Sequence, residues 1–286
     1  VNENILRVGE IPFTNCCNVF YYLKRKYPVP GVEYRQGTPS ELNTCLRRGQ
    51  IDLCLSSSIE YAHGQGGYLV LPHYCLGSKH QLPSILLFSR LPLENLNGAR
   101  IVLTAESSTT SVLCRIILGH FFGFSNEFIT RNADLEDALE DAGAVVLIGD
   151  RALAARHRAT DVQAWDLSSV WEEHTSLPFV FALWIIRTEA ASEKKNILAD
   201  FTRSLENAHR DIQNPDEDLV QWVLREKTFF TRASLIDYWG HIAYHLTEEH
   251  FQGLKLFYRL AYEAGQISSI PEINFYQAKI NFILGD

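Results

Sequence analysis

Four short apolar runs in this chain each end in a polar cluster and pass into a segment with helically spaced apolar positions. Ile5 to Ile11 leads into Pro12-Phe13-Thr14-Asn15 and then into Val19, Phe20, Tyr22 and Leu23. Ile51 to Leu55 leads into Ser56-Ser57-Ser58 and a short segment from Ile59 to Ala62. Ile101 to Leu103 opens onto a hydroxyl cluster, Ser107 to Ser111, that starts an apolar helix. Ala144 to Ile148 leads into Gly149-Asp150 and a helical segment from Arg151 to Arg158. Short continuous apolar runs of this kind mark strands buried on both faces of a mainly parallel sheet. Ligands bound by such sheets sit beyond the carboxyl ends of the strands. The four polar turns are therefore expected on one rim.

The rest of the pattern predicts an α/β chain of two lobes crossed twice. Thr38-Pro39-Ser40 caps a helix through Leu42, Cys45 and Leu46 that stops at Gly49. Leu69 to Leu76 and Ser84 to Phe88 read as further strands, and the turn-rich stretch from Leu91-Pro92 to Asn97-Gly98 reads as the crossing into a second lobe. A helix from about Ser111 to Phe122, ended by Gly123, belongs to that lobe, and the apolar run Phe179 to Ile186 is expected to carry the chain back. From Ser192 onward only helical periodicity is legible, with starts at Pro215-Asp216-Glu217 and Thr247-Glu248-Glu249. These signals give lobe one as 1–88 with a helical tail at 187–286, and lobe two as 89–186.

Composition narrows the function. A chain of 286 residues that is 46% hydrophobic can bury a full core. Its formal charge of −8 argues against nucleic acid, which demands a basic face. No apolar run is long enough to cross a bilayer, and no basic-then-apolar leader precedes the first strand, so no membrane partner is expected. The six cysteines (16, 17, 45, 54, 75 and 114) include an adjacent pair and no CxxC spacing, which suits reduced structural thiols and a cytoplasmic setting. Ten histidines are scattered without a ligating motif, so neither a metal nor a cofactor is expected; His241 and His245 share a helical i, i+4 face but lack a third ligand.

The ordered motifs RVGEIPFTN, GTPSELNTCLRRGQIDLCLSSSIEYA, PSILLFSR, LTAESSTTSVL, VLIGDRAL and DLSSVWEEHTSLPFVFALW resemble the chorismate dehydratases of the futalosine route to menaquinone. The resemblance runs from about Leu6 to Arg187 and implies a two-lobed type II periplasmic-binding-protein-like fold with a ligand cleft between the lobes. It implies loss of water from chorismate, giving 3-[(1-carboxyvinyl)oxy]benzoate. The substrate would be a small dicarboxylate, and a homodimer is an open option for assembly. Cys16-Cys17 stands where family members more often carry apolar residues.

Removing the proton beside the enol-ether oxygen builds charge into the ring carboxylate, and aromatisation supplies the driving force. Such a reaction calls for fixed donors more than for a titrating base, and the resemblance implies that the substrate's own enolpyruvyl carboxylate takes the proton. By the same resemblance Asn15 and Ser84 are the catalytic candidates; their plainer readings are a helix N-cap and a strand-start hydroxyl. Ser56, Ser57, Thr109, Thr110, Ser111, Gly149 and Asp150 are the substrate-binding candidates. Ser and Thr at a helix start are also ordinary caps, and Asp150 suits a cap as well as a ligand contact. Glu60 reads as a structural partner near the cleft. The alternative to an enzyme is a non-catalytic binding protein for a small carboxylate, built on the same fold.

Overall fold

The computed structural model describes residues 5–64, 66–158 and 161–277. Strands β1 (Leu6–Glu10), β2 (Val32–Gln36), β3 (Leu53–Ser57) and β4 (Tyr68–Ser78) alternate with helices α1 (Thr14–Arg25), α2 (Pro39–Arg47) and α3 (Ser58–His63). The middle of the chain holds β5 (Ile85–Ser89), β6 (Arg100–Leu103), β7 (Glu127–Thr130), β8 (Ala144–Ile148) and β9 (Gln163–Asp166). Its helices are α4 (Ser108–Ile116), α5 (Leu135–Ala138), α6 (Gly149–Arg158) and α7 (Leu167–Thr175). Then follow β10 (Val180–Arg187), α8 (Thr188–Glu193), α9 (Lys195–Asp211), α10 (Glu217–Glu226), α11 (Arg232–Gly240), β11 (Ile242–His245) and α12 (Glu248–Glu263).

Two sheets result, ordered β11-β4-β10-β3-β1-β2 and β7-β6-β8-β5-β9. Each has a parallel core of three strands, β2-β1-β3 in one and β7-β6-β8 in the other, flanked by antiparallel partners. In both sheets an antiparallel strand lies beside the parallel core, β10 against β3 and β5 against β8. The amino ends of β5 and β10 therefore lie at the rim where the parallel strands end. Ile85 pairs with Ile148, and Ala182 with Ser57. The burial of β3, β5 and β8 is unbroken, which is why they read as continuous apolar runs.

The crossings differ from the sequence expectation. The strand at 85–89 belongs to the second sheet, so the chain changes sheet between Ser78 and Ile85; the segment from Leu91 to Gly98 is a turn between β5 and β6 within that sheet. The return is complete by Val180, because β10 pairs with β3 and β4 throughout. A short buried apolar run carries no mark of which sheet it joins, and a turn-rich stretch signals a turn without its destination. The tail also contains a strand, β11, that pairs with β4 and closes the first sheet's edge. His245 lies on this strand, while His241 caps the preceding helix, so the two share no helical face.

Local capping follows the sequence closely elsewhere. Thr38 and Glu41 form a reciprocal capping box at α2, with Pro39 in its first turn. Ser107 caps α4, so that helix begins three residues before the expected Ser111, and a single π-turn, Ile117–Phe121, completes it ahead of Gly123. Asp216 and Thr247 cap α10 and α12.

Candidate active site

The four turns meet at one cavity between the sheets. Asn15, Ser57, Thr110 and Gly149 all line it, joined by Phe13, Cys16, Ser107, Ile85 and Ala182. In this conformation the cavity is only about 40 Å³. Helices α1, α4 and α6 all start beside it, so their positive dipole ends point toward a shared space. Among the described residues no carboxylate, imidazole or amine lines it. Cys16 does, but burial pushes its thiol well above the ordinary range, so it stays neutral.

Asn15 is not a cap. Phe13 occupies the N-cap position of α1 and makes no side-chain cap, leaving Asn15 in the first turn with its amide at the cavity. The Cys16 thiol donates to Asn15 Oδ1 at 3.1 Å, and among the described residues the amide nitrogen has no protein partner. Asn15 is thus oriented through its oxygen, with its amide N–H donors unengaged by other described residues.

Gly149 sits at φ +58°, and a Cβ there would meet the Phe13 ring at 2.9 Å. Only glycine fits both conditions. Its N–H donates to the Ser84 carbonyl at 2.8 Å. Ser84 itself is fully buried; its hydroxyl accepts from Tyr238 Oη at 2.9 Å, and Ile85 rather than Ser84 reaches the cavity wall. Thr110 and the Ser107 cap share a hydroxyl contact of 3.1 Å at the start of α4. Ser57 precedes α3 but makes no side-chain cap.

Four other candidates face elsewhere. Ser56 alternates with Ser57 along β3 and lies on the opposite face beside Cys54, whose thiol is pushed up to about 12 chiefly by burial. Thr109 Oγ1 accepts from the Ile59 N–H at 3.0 Å, joining α4 to the start of α3 across the lobes. Ser111 returns its hydroxyl to the Thr104 and Ser107 carbonyls, both at 3.1 Å. Asp150 neither caps its own helix nor lines the cavity: it accepts the Thr14 N–H at 3.1 Å and pairs with Lys227 at 2.7 Å. A run of adjacent hydroxyls cannot all point one way, because strand pleat and helical turn distribute them. Glu60 is held by Arg47 and by Tyr68 Oη, and burial raises its carboxyl to about 7.

The tail supplies residues that the sequence pattern did not single out. Trp239 Nε1 donates to the Thr14 carbonyl at 2.9 Å, and Tyr244 Oη donates to the Asn15 carbonyl at 3.1 Å. Asn18 Nδ2 in turn donates to Tyr244 Oη at 2.7 Å. Burial raises the Tyr238 and Tyr244 phenols well above their usual range, which keeps both as donors. The one available signal was the cluster Tyr238-Trp239 and Tyr244, aromatic residues with polar tips in a segment that otherwise read as plain helix.

The menaquinone biosynthesis family model matches residues 6–263. The chain is 29% identical over 260 residues to the chorismate dehydratase of Thermus thermophilus, covering 86% of this chain and 91% of that one. Among solved structures it resembles a protein of Archaeoglobus fulgidus, with a TM-score of 0.73, 19% identity and coverage of 93% of this chain and all of that one. It also resembles the periplasmic aliphatic sulphonate binding protein of Escherichia coli, with a TM-score of 0.69, 14% identity and coverage of 96% and 93%. The two-lobed fold is that of the periplasmic binding proteins.

Proposed function

The chain belongs to the menaquinone biosynthesis family, and on that footing we propose that it is a chorismate dehydratase, a hydro-lyase that forms 3-[(1-carboxyvinyl)oxy]benzoate. The observation that carries this reading is a largely apolar cavity into which three hydroxyls, an amide and helix starts are set, with no carboxylate, imidazole or amine among the described residues that line it. A binding site alone would gain from a cation opposite each carboxylate. An elimination driven by aromatisation needs donors fixed where charge develops, and these cost no reorganisation during the reaction.

In this mechanism the start of α4, with Ser107 and Thr110, holds a substrate carboxylate, and Ser57 faces it from the other lobe. Asn15 Nδ2 orients the ring at the reacting edge. The C–H bond beside the enol-ether oxygen breaks, its electron pair enters the ring, and the C–O bond to the departing hydroxyl breaks. The proton passes to the substrate's own enolpyruvyl carboxylate, which hands it to the departing hydroxide, so that water leaves and the carboxylate is restored. Ser84 acts through the backbone, holding the Gly149 N–H. No cofactor enters. Six buried thiols without a disulfide suit a reducing compartment such as the cytoplasm.

Incubating the purified chain with chorismate and identifying the product tests the reading. The benzoate product with release of water supports it. Unchanged chorismate with measurable binding would favour a binding protein on the same fold.

A further inference from the structure

A second, larger cavity of about 330 Å³ lies beside the central one, bounded by α1, α10 and the ends of β1 and β2. Ile11 lines both cavities, and adjacent Cys16 and Cys17 face one each. Its volume is in the range of small-molecule sites. One face of α1 forms a wall through Cys17, Phe20, Tyr21 and Lys24, spaced at helical intervals. Trp222 of α10 meets Tyr21 with ring centroids 5.5 Å apart, so the two rings make a continuous aromatic surface.

The charges on this cavity are unevenly satisfied. Lys24 holds both oxygens of Glu10, at 2.9 and 3.0 Å. Lys227 holds Asp150 at 2.7 Å. Arg25 lies 5.0 Å from the Tyr21 ring centroid and takes part in no ion pair among the described residues. With Lys24 and Lys227 paired, Arg25 and Glu226 are the two lining charges without an ion pair among the described residues, and Arg25 is the cation left for an anionic ligand.

We propose that this cavity is a second small-molecule site, for an aromatic monocarboxylate, and that its occupancy is transmitted to the first turn of α1 through Lys227 and Asp150. The ring packs on Tyr21 and Trp222, and the carboxylate takes Arg25 as its principal partner with Lys227 at the far side. Drawing Lys227 toward the ligand weakens its hold on Asp150, whose other oxygen accepts the Thr14 N–H one residue before Asn15. The site does not depend on the reaction proposed above, because benzoate binding is read without turnover.

The probe is benzoate, titrated calorimetrically into the full chain, with benzamide as its uncharged counterpart. Benzoate binding one-to-one, with benzamide weaker by about tenfold and Arg25→Gln or Trp222→Leu weakening benzoate by about tenfold, is the expected result. Circular dichroism of both variants checks that they fold. Hydrogen exchange of the Thr14 amide is expected to quicken when benzoate is added. Absence of binding up to about 10 mM benzoate overturns the site. So does equal binding of benzamide, or benzoate binding that chorismate displaces while both variants leave it unchanged, since that places the probe in the central cavity. Unchanged Thr14 exchange at saturation overturns the coupling.

Discussion

Asn15 sits in the first turn of a helix whose N-cap position is Phe13, so removing its side chain separates orientation from stability. Asn15→Ala is expected to lower turnover of chorismate by about 10²- to 10³-fold with a small change in KM, the pattern of a donor acting mainly in the transition state. Intact turnover with lowered stability alone would return Asn15 to a structural role. Thr110→Ala is expected to weaken substrate binding, by about 1–3 kcal/mol for hydrogen bonds to a charged group. Ser111→Ala should leave binding unchanged, because its hydroxyl already serves the Thr104 and Ser107 carbonyls. Steady-state kinetics on this set reads the distinction directly. Glu60 carries a different signature. Burial pushes its carboxyl up from the ordinary 4.5 to about 7 in the folded chain. The folded state therefore binds more protons than the unfolded one between these values, and this group's contribution makes stability fall as pH rises through that window. His209 acts with the opposite sign: burial lowers its pKa from 6.5 to about 3, so its contribution is lost as pH falls through that range. Because the two overlap, the test is a difference. Urea unfolding of Glu60→Gln against the parent, from about pH 5 to about pH 8, should show the variant gaining relative stability toward the alkaline end. Parallel pH profiles for the two proteins would show that Arg47 and Tyr68 already offset the burial of this carboxylate.

The elements that position this site come from two distant parts of the sequence. Helix α1 presents Asn15, while α11 and β11, more than 200 residues later, grip the carbonyls of its first turn through Trp239 and Tyr244. Tyr244→Phe removes the donor to the Asn15 carbonyl and leaves the buried Asn18 amide without its acceptor. A loss of about 1–3 kcal/mol is expected from such an unsatisfied group, measured by denaturant unfolding. Turnover should fall while KM holds, because the Asn15 backbone loosens and the turns proposed to hold the substrate carboxylate are untouched. Equal losses in both would mean that the aromatic grip supports the whole cavity. Strands β1, β3, β6 and β8 and their turns were legible because each is a local pattern, an apolar run followed by hydroxyls or glycine, and their common rim followed from parallel topology. β11 was not legible: four residues, Ile242 to His245, between two helices give too short an alternation to stand out. The directions of Ser56, Thr109, Ser111 and Asp150 were equally hidden, since they depend on pleat, helical phase and partners contributed by other elements. Periodicity located the rim and left open which hydroxyls look into it.

At the scale of the whole molecule the cavity is closed. Its volume of about 40 Å³ is far below the roughly 300 Å³ at which small-molecule pockets begin, so a ten-carbon dicarboxylate enters only if the lobes part. Besides the Tyr238–Ser84 contact, several hydrogen bonds join the lobes. Ser40 Oγ donates to the Ala105 carbonyl at 2.7 Å, the Ile59 N–H donates to Thr109 at 3.0 Å, and the Thr14 N–H donates to Asp150 at 3.1 Å. Of these only Asp150 brings a charge, and its second oxygen draws in Lys227 from the loop after α10. The anion lies at the start of α1, where the helix dipole favours it. Closure without substrate is therefore stabilised by a carboxylate of the chain itself occupying the end of α1, while the neighbouring cavity stays empty of charge for the substrate's own. Asp150→Ala removes both contacts. Its partners are partly exposed, so a loss of about 1–2 kcal/mol is reasonable, which shifts the open-to-closed ratio about tenfold toward open. Small-angle X-ray scattering on the ligand-free protein should then give a larger radius of gyration for Asp150→Ala than for the parent, and saturating chorismate should restore the compact value. Identical radii without ligand would mean that the neutral contacts between the lobes hold them together without Asp150. Asp150→Asn keeps an acceptor for Thr14 but loses the charge toward Lys227, so it is expected to fall between the two and to show which contact dominates closure.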